Sequence, residues 1–182
     1  VGPGTGNLTE SILKKNIKKI YLVEKDNNLC FNLKKKFNNK VNLINDDILN
    51  IDEKNIDPEK LVVFGNLPYN ISTEILTRWI INLDDTKFWF DCLILMFQKE
   101  VADRIIARFN KSEYGRLSII SNWRLHIKKI FEISPESFYP KPKIKSTLLF
   151  FKPKKIFYNF NDTRNLEKVT RVFFNHRRKM LK

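Results

Sequence analysis

The sequence contains little cysteine, and it has no long apolar run. Its 182 residues include two cysteines, Cys30 and Cys92, which lie far apart and show no metal-ligand spacing. This usage argues against a disulfide-stapled secreted domain and favours reduced thiols in a cytoplasmic protein. No apolar run approaches the roughly 18 residues of a membrane span, and no signal peptide is visible. We therefore expect a soluble cytoplasmic protein that binds neither metal nor membrane.

Acidic residues are scarce relative to basic ones. The chain has 34 lysines and arginines against 20 aspartates and glutamates, which gives a formal net charge of +14 and a pI near 9.8. This excess favours a polyanionic partner, and nucleic acid before membrane, because no basic amphipathic segment stands alone. The alternative is that a composition rich in lysine, asparagine and isoleucine reflects codon bias.

Strand and helix patterns alternate along the chain, and this alternation predicts an α/β fold with a mostly parallel, doubly wound sheet. Strands are expected at 20–23, 41–44, 61–64, 90–97, 127–133 and 147–151, and helices at 7–15, 26–37, 72–81 and 99–109. The pattern stops near Pro153. We therefore expect one domain over 1–153 and the start of a small helical domain over 154–182, with a helix at 162–180.

A glycine-rich turn opens the sequence, and ligands in such sheets bind beyond the carboxyl ends of the strands. In VGPGTG, residues 1–6, Gly2, Gly4 and Gly6 permit positive φ angles and close approach of a ligand to the main chain. The dinucleotide fingerprint would need glycine where Asn7 stands. Alone the turn is weak support for a ligand site, because a tight structural turn explains it too.

Two carboxylates strengthen the prediction of a cofactor site. Glu24 follows the strand expected at 20–23, where a carboxylate can accept hydrogen bonds from both hydroxyls of a ribose. Asp47 follows the strand expected at 41–44, where it can hold the amino group of an adenine. A surface or capping carboxylate is the alternative for each residue. Together with the glycine turn, they predict a cofactor that has a ribose and an adenine but no diphosphate clamp.

GNLPYNIST, residues 65–73, follows the apolar run 61–64 directly. An amide, a restricted Leu–Pro bond and an aromatic ring are unusual at the carboxyl end of a buried strand. The alternative is a simple loop in which Asn66 caps the next helix.

The motifs resemble those of a known enzyme family. GPGTG, VEKD, NDDI and GNLPYNIST are similar, in this order, to the motifs of class I S-adenosylmethionine-dependent methyltransferases, which implies a Rossmann-like fold. Over essentially the whole chain, four further segments resemble the ribosomal RNA adenine dimethyltransferase family: QKEVADRI (98–105), YGRLS (114–118), FYPKPKIKS (138–146) and FNHRRKML (174–181). YGRLS, QKEVADR and FNHRRK favour its small-subunit branch over the related erythromycin-resistance enzymes.

This resemblance implies S-adenosylmethionine as cofactor and adenine N6 as the methyl acceptor. The side-chain oxygen of Asn66, which would also border the cofactor, and the carbonyl of Leu67 would accept hydrogen bonds from the amino group and aim its lone pair. Pro68 would hold the preceding carbonyl in place. Stacking of the flipped base on Tyr69 would contribute about 1–3 kcal/mol. Transfer is expected to be direct and in line, without a strong general base.

Phe138 would close the sandwich on the target base from the side opposite Tyr69. A core aromatic is the alternative, since the chain holds 15 phenylalanines. For Arg177 and Arg178 a solvated helix face is the alternative to RNA binding. The residues expected to contact RNA phosphates are Lys141, Lys143, Lys145, Arg177 and Arg178.

By resemblance, the expected function is N6,N6-dimethylation of two adjacent adenines in a hairpin loop near the 3′ end of small-subunit rRNA, during ribosome biogenesis. The enzyme is expected to act as a monomer on the pre-30S particle, and unstacked loop bases are cheap to flip. The alternatives are a non-catalytic RNA-binding assembly or transcription factor, a large-subunit enzyme of the erythromycin-resistance type, and a protein-glutamine or DNA-adenine methyltransferase. Because a first strand and an acidic residue before the glycine turn are missing, a fragment lacking both termini is expected.

Overall fold

The computed structural model describes residues 1–83, 88–138 and 141–175. The helices are α1 (Asn7–Leu13), α2 (Asn27–Phe37), α3 (Ser72–Ile81), α4 (Lys99–Ile106), α5 (Arg116–Arg124) and α6 (Thr163–Asn175). The strands are β1 (Tyr21–Glu24), β2 (Asn42–Asn45), β3 (Leu61–Gly65), β4 (Phe90–Gln98), β5 (Leu125–Ile133) and β6 (Ser146–Pro153). Within the described ranges, no helix has both the length and the apolar character needed to cross a membrane.

The strands form two hydrogen-bonded groups, and the start of the chain lies between them. β1 and β2 pair in parallel, while the second group has the order β3-β4-β6-β5. The Gly2 amide donates to the Val23 carbonyl at the end of β1 (3.0 Å), and the Val1 nitrogen donates to the Phe64 carbonyl at the end of β3 (2.8 Å). The glycine turn therefore begins between the carboxyl ends of β1 and β3, where ligands bind in open α/β sheets.

The predicted alternation of strands and helices is found, and β3 and β4 are parallel like β1 and β2. The two closing strands differ from the others, since β6 runs antiparallel to both β4 and β5. The amino end of β6 consequently lies at the same edge of the sheet as the carboxyl ends of β3 and β4. The segment that precedes β6 is thereby brought to the edge that carries the glycine turn.

Two helices differ from the sequence-based expectation. α4 ends at Ile106 rather than at 109, because Ala107 is extended and Asn110 takes a left-handed conformation in the turn that follows. α5 was not predicted at all. Its buried face includes Ser118, Ser121 and Arg124, so the sequence shows no apolar stripe of helical period there.

The main core packs α3 against β3, β4 and β6. Trp79, Phe90, Phe97 and Phe151 are its largest apolar side chains, and none of them is more than 1% exposed. Burial on this scale is the dominant favourable term in folding. It fixes β3 and α3, and therefore both ends of the NLPY turn (residues 66–69) that joins them.

The predicted domain boundary coincides with the end of β6 at Pro153. Beyond it, α6 packs against α5 and α3: the Thr163 hydroxyl donates to the Ile81 carbonyl (3.0 Å), and Arg116 pairs with Glu167. The described part of the expected 162–180 helix is thus attached to the first domain. The assignment of residues 154–182 to a second domain stays a prediction.

Candidate functional site

The glycine turn and the NLPY turn are in direct contact. A β-carbon built at Gly2 would lie 3.1 Å from the main-chain oxygen of Asn66, a distance at which one of the two must shift. Gly2 also has φ +61°, which disfavours other residues. The contact arises because Val1 and Gly2 lie between β1 and β3, so the chain leaving β3 passes over the start of the turn.

The other two glycines of the turn serve different surroundings. Gly4 has φ +55°, and a β-carbon added there would have no atom of the described residues within 4 Å. Its surroundings are therefore open to a ligand. A β-carbon at Gly6 would lie 2.6 Å from the ring of Phe37 and 3.0 Å from Leu33. Gly6 is therefore required for packing α1 against α2, a reason that the sequence did not reveal.

Glu24 ends β1 beside the glycine turn. Its Oε1 accepts hydrogen bonds from the main-chain amides of Lys25 (2.9 Å) and Asp26 (3.0 Å), which fixes the direction of the carboxylate. Among the described residues, none donates to Oε2. One oxygen of Glu24 is thus held by the chain and the other is available to a ligand hydroxyl. Its role in binding ribose stays a prediction.

Asp47 follows β2 and is already engaged on both oxygens. Oδ1 accepts from the Leu49 amide (3.0 Å), and Oδ2 pairs with the Lys25 ammonium (2.9 Å). These contacts, the Leu49 amide first, lower the pKa of the Asp47 carboxyl, so it is ionised at neutral pH. Sequence reasoning missed Lys25, although it lies next to Glu24. Because Lys25 is exposed, its ion pair with Asp47 contributes little to stability.

The loop after Asp47 is held by α3. The Arg78 guanidinium donates to the carbonyls of Ile48 (2.6 Å) and Leu49 and pairs with Glu53. The Trp79 indole also donates to Glu53, at 2.7 Å. The helix that follows the NLPY turn therefore positions the loop that carries Asp47. An arginine within the largely apolar α3 was the one signal of this support in the sequence.

In the NLPY turn, Leu67 is an anchor and Asn66 is exposed. The Leu67 side chain is 1% exposed and packs in the main core. Among the described residues, none donates to the Leu67 carbonyl or contacts the Asn66 amide by hydrogen bonds. α3 begins at Ser72, after Ile71 as N-cap and without a side-chain cap. The alternative in which Asn66 caps α3 is therefore wrong.

Pro68 and Tyr69 complete the turn. Pro68 is exposed, and its carbonyl accepts a hydrogen bond from the Ile71 amide (3.1 Å). This hydrogen bond closes the turn before α3. Tyr69 is half-buried and is fixed at both ends. Its carbonyl accepts from the Ser72 hydroxyl (3.1 Å), and its phenol shares a hydrogen bond with the Ser146 hydroxyl (2.6 Å).

Phe138 lies before β6, at the end of a 3₁₀ turn over Pro135–Ser137. Its amide donates to the Pro135 carbonyl (3.2 Å), and the residue is half-buried rather than part of the core. In the described part of the chain its ring contacts no other aromatic ring, Tyr69 included. Its position opposite Tyr69 on a bound base stays a prediction.

The predicted RNA-contacting lysines are exposed, but they are not equivalent. Lys141 pairs with Glu136 at 2.7 Å, and this contact lowers the pKa of the Glu136 carboxyl. Lys145 also lowers that pKa through its charge, whereas Lys143 has no partner among the described residues. Arg177 and Arg178 lie outside the described residues.

Comparison with known proteins shows which family the chain resembles. The family model of the ribosomal RNA adenine dimethylases matches residues 1–182. The chain is 62% identical to ribosomal RNA small subunit methyltransferase A of Pelagibacter ubique, over 100% of this chain and 69% of that protein. The chain spans about two thirds of the length of the curated relatives it matches.

Solved structures confirm the predicted class I methyltransferase fold. A dimethyladenosine transferase from Plasmodium falciparum superposes with a TM-score of 0.80 at 30% identity, over 99% of this chain and 63% of that one. The 23S rRNA methyltransferase ErmE superposes with a TM-score of 0.74 at 19% identity, over 96% and 68% of the two chains. The second likeness concerns the fold alone.

Proposed function

The chain belongs to the ribosomal RNA adenine dimethylase family, and from this premise we propose that it methylates N6 of two adjacent adenines in a hairpin loop near the 3′ end of small-subunit rRNA. The family predicted from the motifs is confirmed, and with it an enzyme that uses S-adenosylmethionine. The alternatives of a non-catalytic factor and of a large-subunit or DNA enzyme are not favoured, because the named relatives are small-subunit rRNA methyltransferases.

One observation carries the proposal: two acceptors to which none of the described residues donates a hydrogen bond stand together on a turn that contacts the glycine turn. The Asn66 side-chain oxygen and the Leu67 carbonyl can each accept one N–H of an adenine amino group. The lone pair of that amine is delocalised into the ring, so it is a poor nucleophile in solution. Two acceptors favour a tetrahedral nitrogen and direct its lone pair at the methyl group.

The order of the strands supports a direction for the cofactor. β2, β1 and β3 follow one another across the sheet, with Val1 and Gly2 between β1 and β3, so Asp47, Glu24 and Asn66 lie in that order along one edge. We assign the adenine of S-adenosylmethionine to Asp47, its ribose to Glu24 and its sulfonium methyl to the side of Asn66. The open surroundings of Gly4 leave room for the methionine portion.

The substrate adenine would enter from the side of β6. Tyr69 offers the stacking face, Phe138 the opposite one, and the lysines before β6 reach the phosphates. Bound S-adenosylmethionine would supply an electrophilic methyl group, and its transfer to the N6 held by Asn66 and Leu67 would release S-adenosylhomocysteine and leave a protonated amine. The methylated amine then loses its proton to water, so no strong base is needed. Desolvation of the site strengthens these polar contacts.

The setting of the reaction also belongs to this proposal. Action on RNA is consistent with the net charge of +14. We infer that the protein acts as a monomer on pre-30S particles in the cytoplasm during ribosome biogenesis. A second role as an assembly factor would not remove the need for intact acceptors in the NLPY turn.

The decisive experiment offers three substrates to the complete protein in parallel: undermethylated small ribosomal subunits, large subunits and DNA, with tritiated S-adenosylmethionine. Label in small subunits alone, recovered as N6,N6-dimethyladenosine, is the expected result. Label in large subunits or DNA would overturn the substrate assignment. Binding to small subunits with no label in any substrate would favour the non-catalytic factor. Asn66→Ala serves as the inactive control.

A further inference from the structure

Tyr69 and Ser146 join two segments that are 77 positions apart in the sequence. Their hydroxyl groups are 2.6 Å apart, a short distance for an O–H···O hydrogen bond. We propose that Ser146 is a positioning residue for methyl transfer: it fixes the ring of Tyr69 for the target base and ties the NLPY turn to the basic loop, residues 141–145. This inference rests on the proposed function and assigns a role to a residue that stands outside the predicted site.

The sheet holds Ser146 rigidly. It is the first residue of β6, is 0% exposed, and pairs with Gln98 at the carboxyl end of β4. The main-chain carbonyl of Lys145, the residue before Ser146, accepts a hydrogen bond from the Lys99 amide (2.9 Å). Because β6 is antiparallel to β4, this rigid point lies at the edge where β3 delivers Tyr69. A strand is a more precise support than a loop would be.

The hydrogen bond restricts the motion that matters for stacking. With its carbonyl held by Ser72 and its phenol by Ser146, Tyr69 keeps two ends fixed, so the direction of its side chain is set before RNA arrives. A preorganised stacking surface avoids the entropy loss of ordering a side chain during binding. Removing one hydroxyl would also leave the other without its partner in a partly buried place, which adds to the loss.

The same contact links the two halves of the substrate side. Lys145 directly precedes Ser146 and Lys143 lies in the same loop, so both lysines stand next to the point of the sheet at which Tyr69 is held. A phosphate held by these lysines is therefore at a constrained distance from the stacking ring. The alternative is that the hydrogen bond only stabilises the fold, and the experiment separates these roles by its effect on chemistry.

The test is a double-mutant cycle with Tyr69→Phe, Ser146→Ala and the combined variant, measured by single-turnover methylation of a target hairpin at saturating S-adenosylmethionine. Each single change should lower the rate about 3- to 10-fold, the range that loss of one hydrogen bond gives. The double variant should lose no more than either single variant, because both remove the same bond. Cofactor affinity should not change in any of them.

Ser121→Ala is the matched control, because Ser121 is also a 0% exposed serine but its hydroxyl has no partner among the described residues. It should keep the wild-type rate, and Ser146→Thr should recover part of the rate by restoring a hydroxyl. Should Ser146→Ala fail to fold, Tyr69→Phe still tests the proposal, because it removes the hydrogen bond but keeps the aromatic ring for stacking. Wild-type rates in Tyr69→Phe, or additive losses in the double variant, would overturn the inference while the proposed function stands. A wild-type protein that labels nothing would overturn both.

Discussion

The main-chain oxygen of Asn66 lies 3.1 Å from the place that a β-carbon of Gly2 would occupy, which joins the start of the chain to the NLPY turn. Gly4 has a similar φ angle, but no atom lies within 4 Å of the β-carbon that it would carry. Comparing alanine substitutions at Gly2 and Gly4 therefore separates the cost of backbone strain from the cost of the contact with Asn66. A non-glycine residue in the left-handed region costs about 1–2 kcal/mol, which both Gly2→Ala and Gly4→Ala should show.

We expect Gly2→Ala to lose more free energy of unfolding than Gly4→Ala, because only Gly2→Ala must also displace the Asn66 carbonyl. Cofactor binding should be weakened by Gly4→Ala as well, since the added methyl group enters the open space assigned to the ligand. Urea unfolding and calorimetric titration measure the two effects separately. Equal losses of stability would mean that the Asn66 carbonyl moves aside without cost.

Asp47 and Lys25 give the second prediction. Asp47→Asn keeps an oxygen for the Leu49 amide but removes the negative charge, and we expect S-adenosylmethionine affinity to fall about 3- to 10-fold, as for one lost hydrogen bond. Lys25→Ala should leave the affinity within about twofold, because an exposed ion pair contributes little. Calorimetric titration of both variants is the measurement. A larger loss in Lys25→Ala than in Asp47→Asn would assign the ligand contact to the lysine.

Asn66 gives the third prediction. Asn66→Ala should lower the single-turnover rate tenfold or more, which requires only about 1.4 kcal/mol of transition-state stabilisation. Stability and cofactor affinity should change little, because the side chain is exposed and caps no helix. Asn70→Ala is the control, because Asn70 is an exposed asparagine directly after the NLPY turn, and it should retain the wild-type rate. A near-normal rate for Asn66→Ala would exclude it from the chemistry.

The sequence predicted the helices and strands well wherever an apolar pattern or a capping residue lies within the element or directly beside it. α3 occupies the predicted range 72–81, and Asp26 caps α2 by accepting hydrogen bonds from the Asn28 and Leu29 amides (2.8 and 2.9 Å). α5 was missed because its buried face is half polar. Ser118 and Arg124 donate hydrogen bonds to the carbonyls of Arg104 and Leu83, which lie outside α5, and no periodicity can show such contacts.

The supports of the candidate site were not predictable for the same reason. Lys25 reaches Asp47 across 22 positions, Arg78 reaches Ile48 across 30, and Tyr69 reaches Ser146 across 77. The motifs identified residues that face the crevice, since these have unusual types for their local structure. The residues that hold them in place are ordinary lysine, arginine and serine, and only the fold brings them together.

The last prediction concerns the basic loop. Glu136, in the 3₁₀ turn that precedes it, already neutralises part of its charge through the ion pair with Lys141. Replacing Lys141, Lys143 and Lys145 by glutamine should weaken RNA binding, and each lost phosphate contact should reduce the log–log salt slope by about 0.7 to 0.9. Lys143→Gln alone should have a larger effect than Lys141→Gln, because Lys141 is paired with Glu136.

Glu136→Gln, in the 3₁₀ turn before the basic loop, should have the opposite effect on RNA binding. Its lowered pKa keeps the carboxylate ionised at neutral pH, so removing it frees Lys141 and should strengthen RNA binding and steepen the salt slope. Phe138→Ala should weaken binding by loss of stacking while the slope stays the same, and none of these changes should affect cofactor affinity. Filter binding of a target hairpin at several salt concentrations measures all of them. An unchanged salt slope in the triple lysine variant would mean that the RNA contacts lie elsewhere and that the charge of this loop only reflects the composition of the chain.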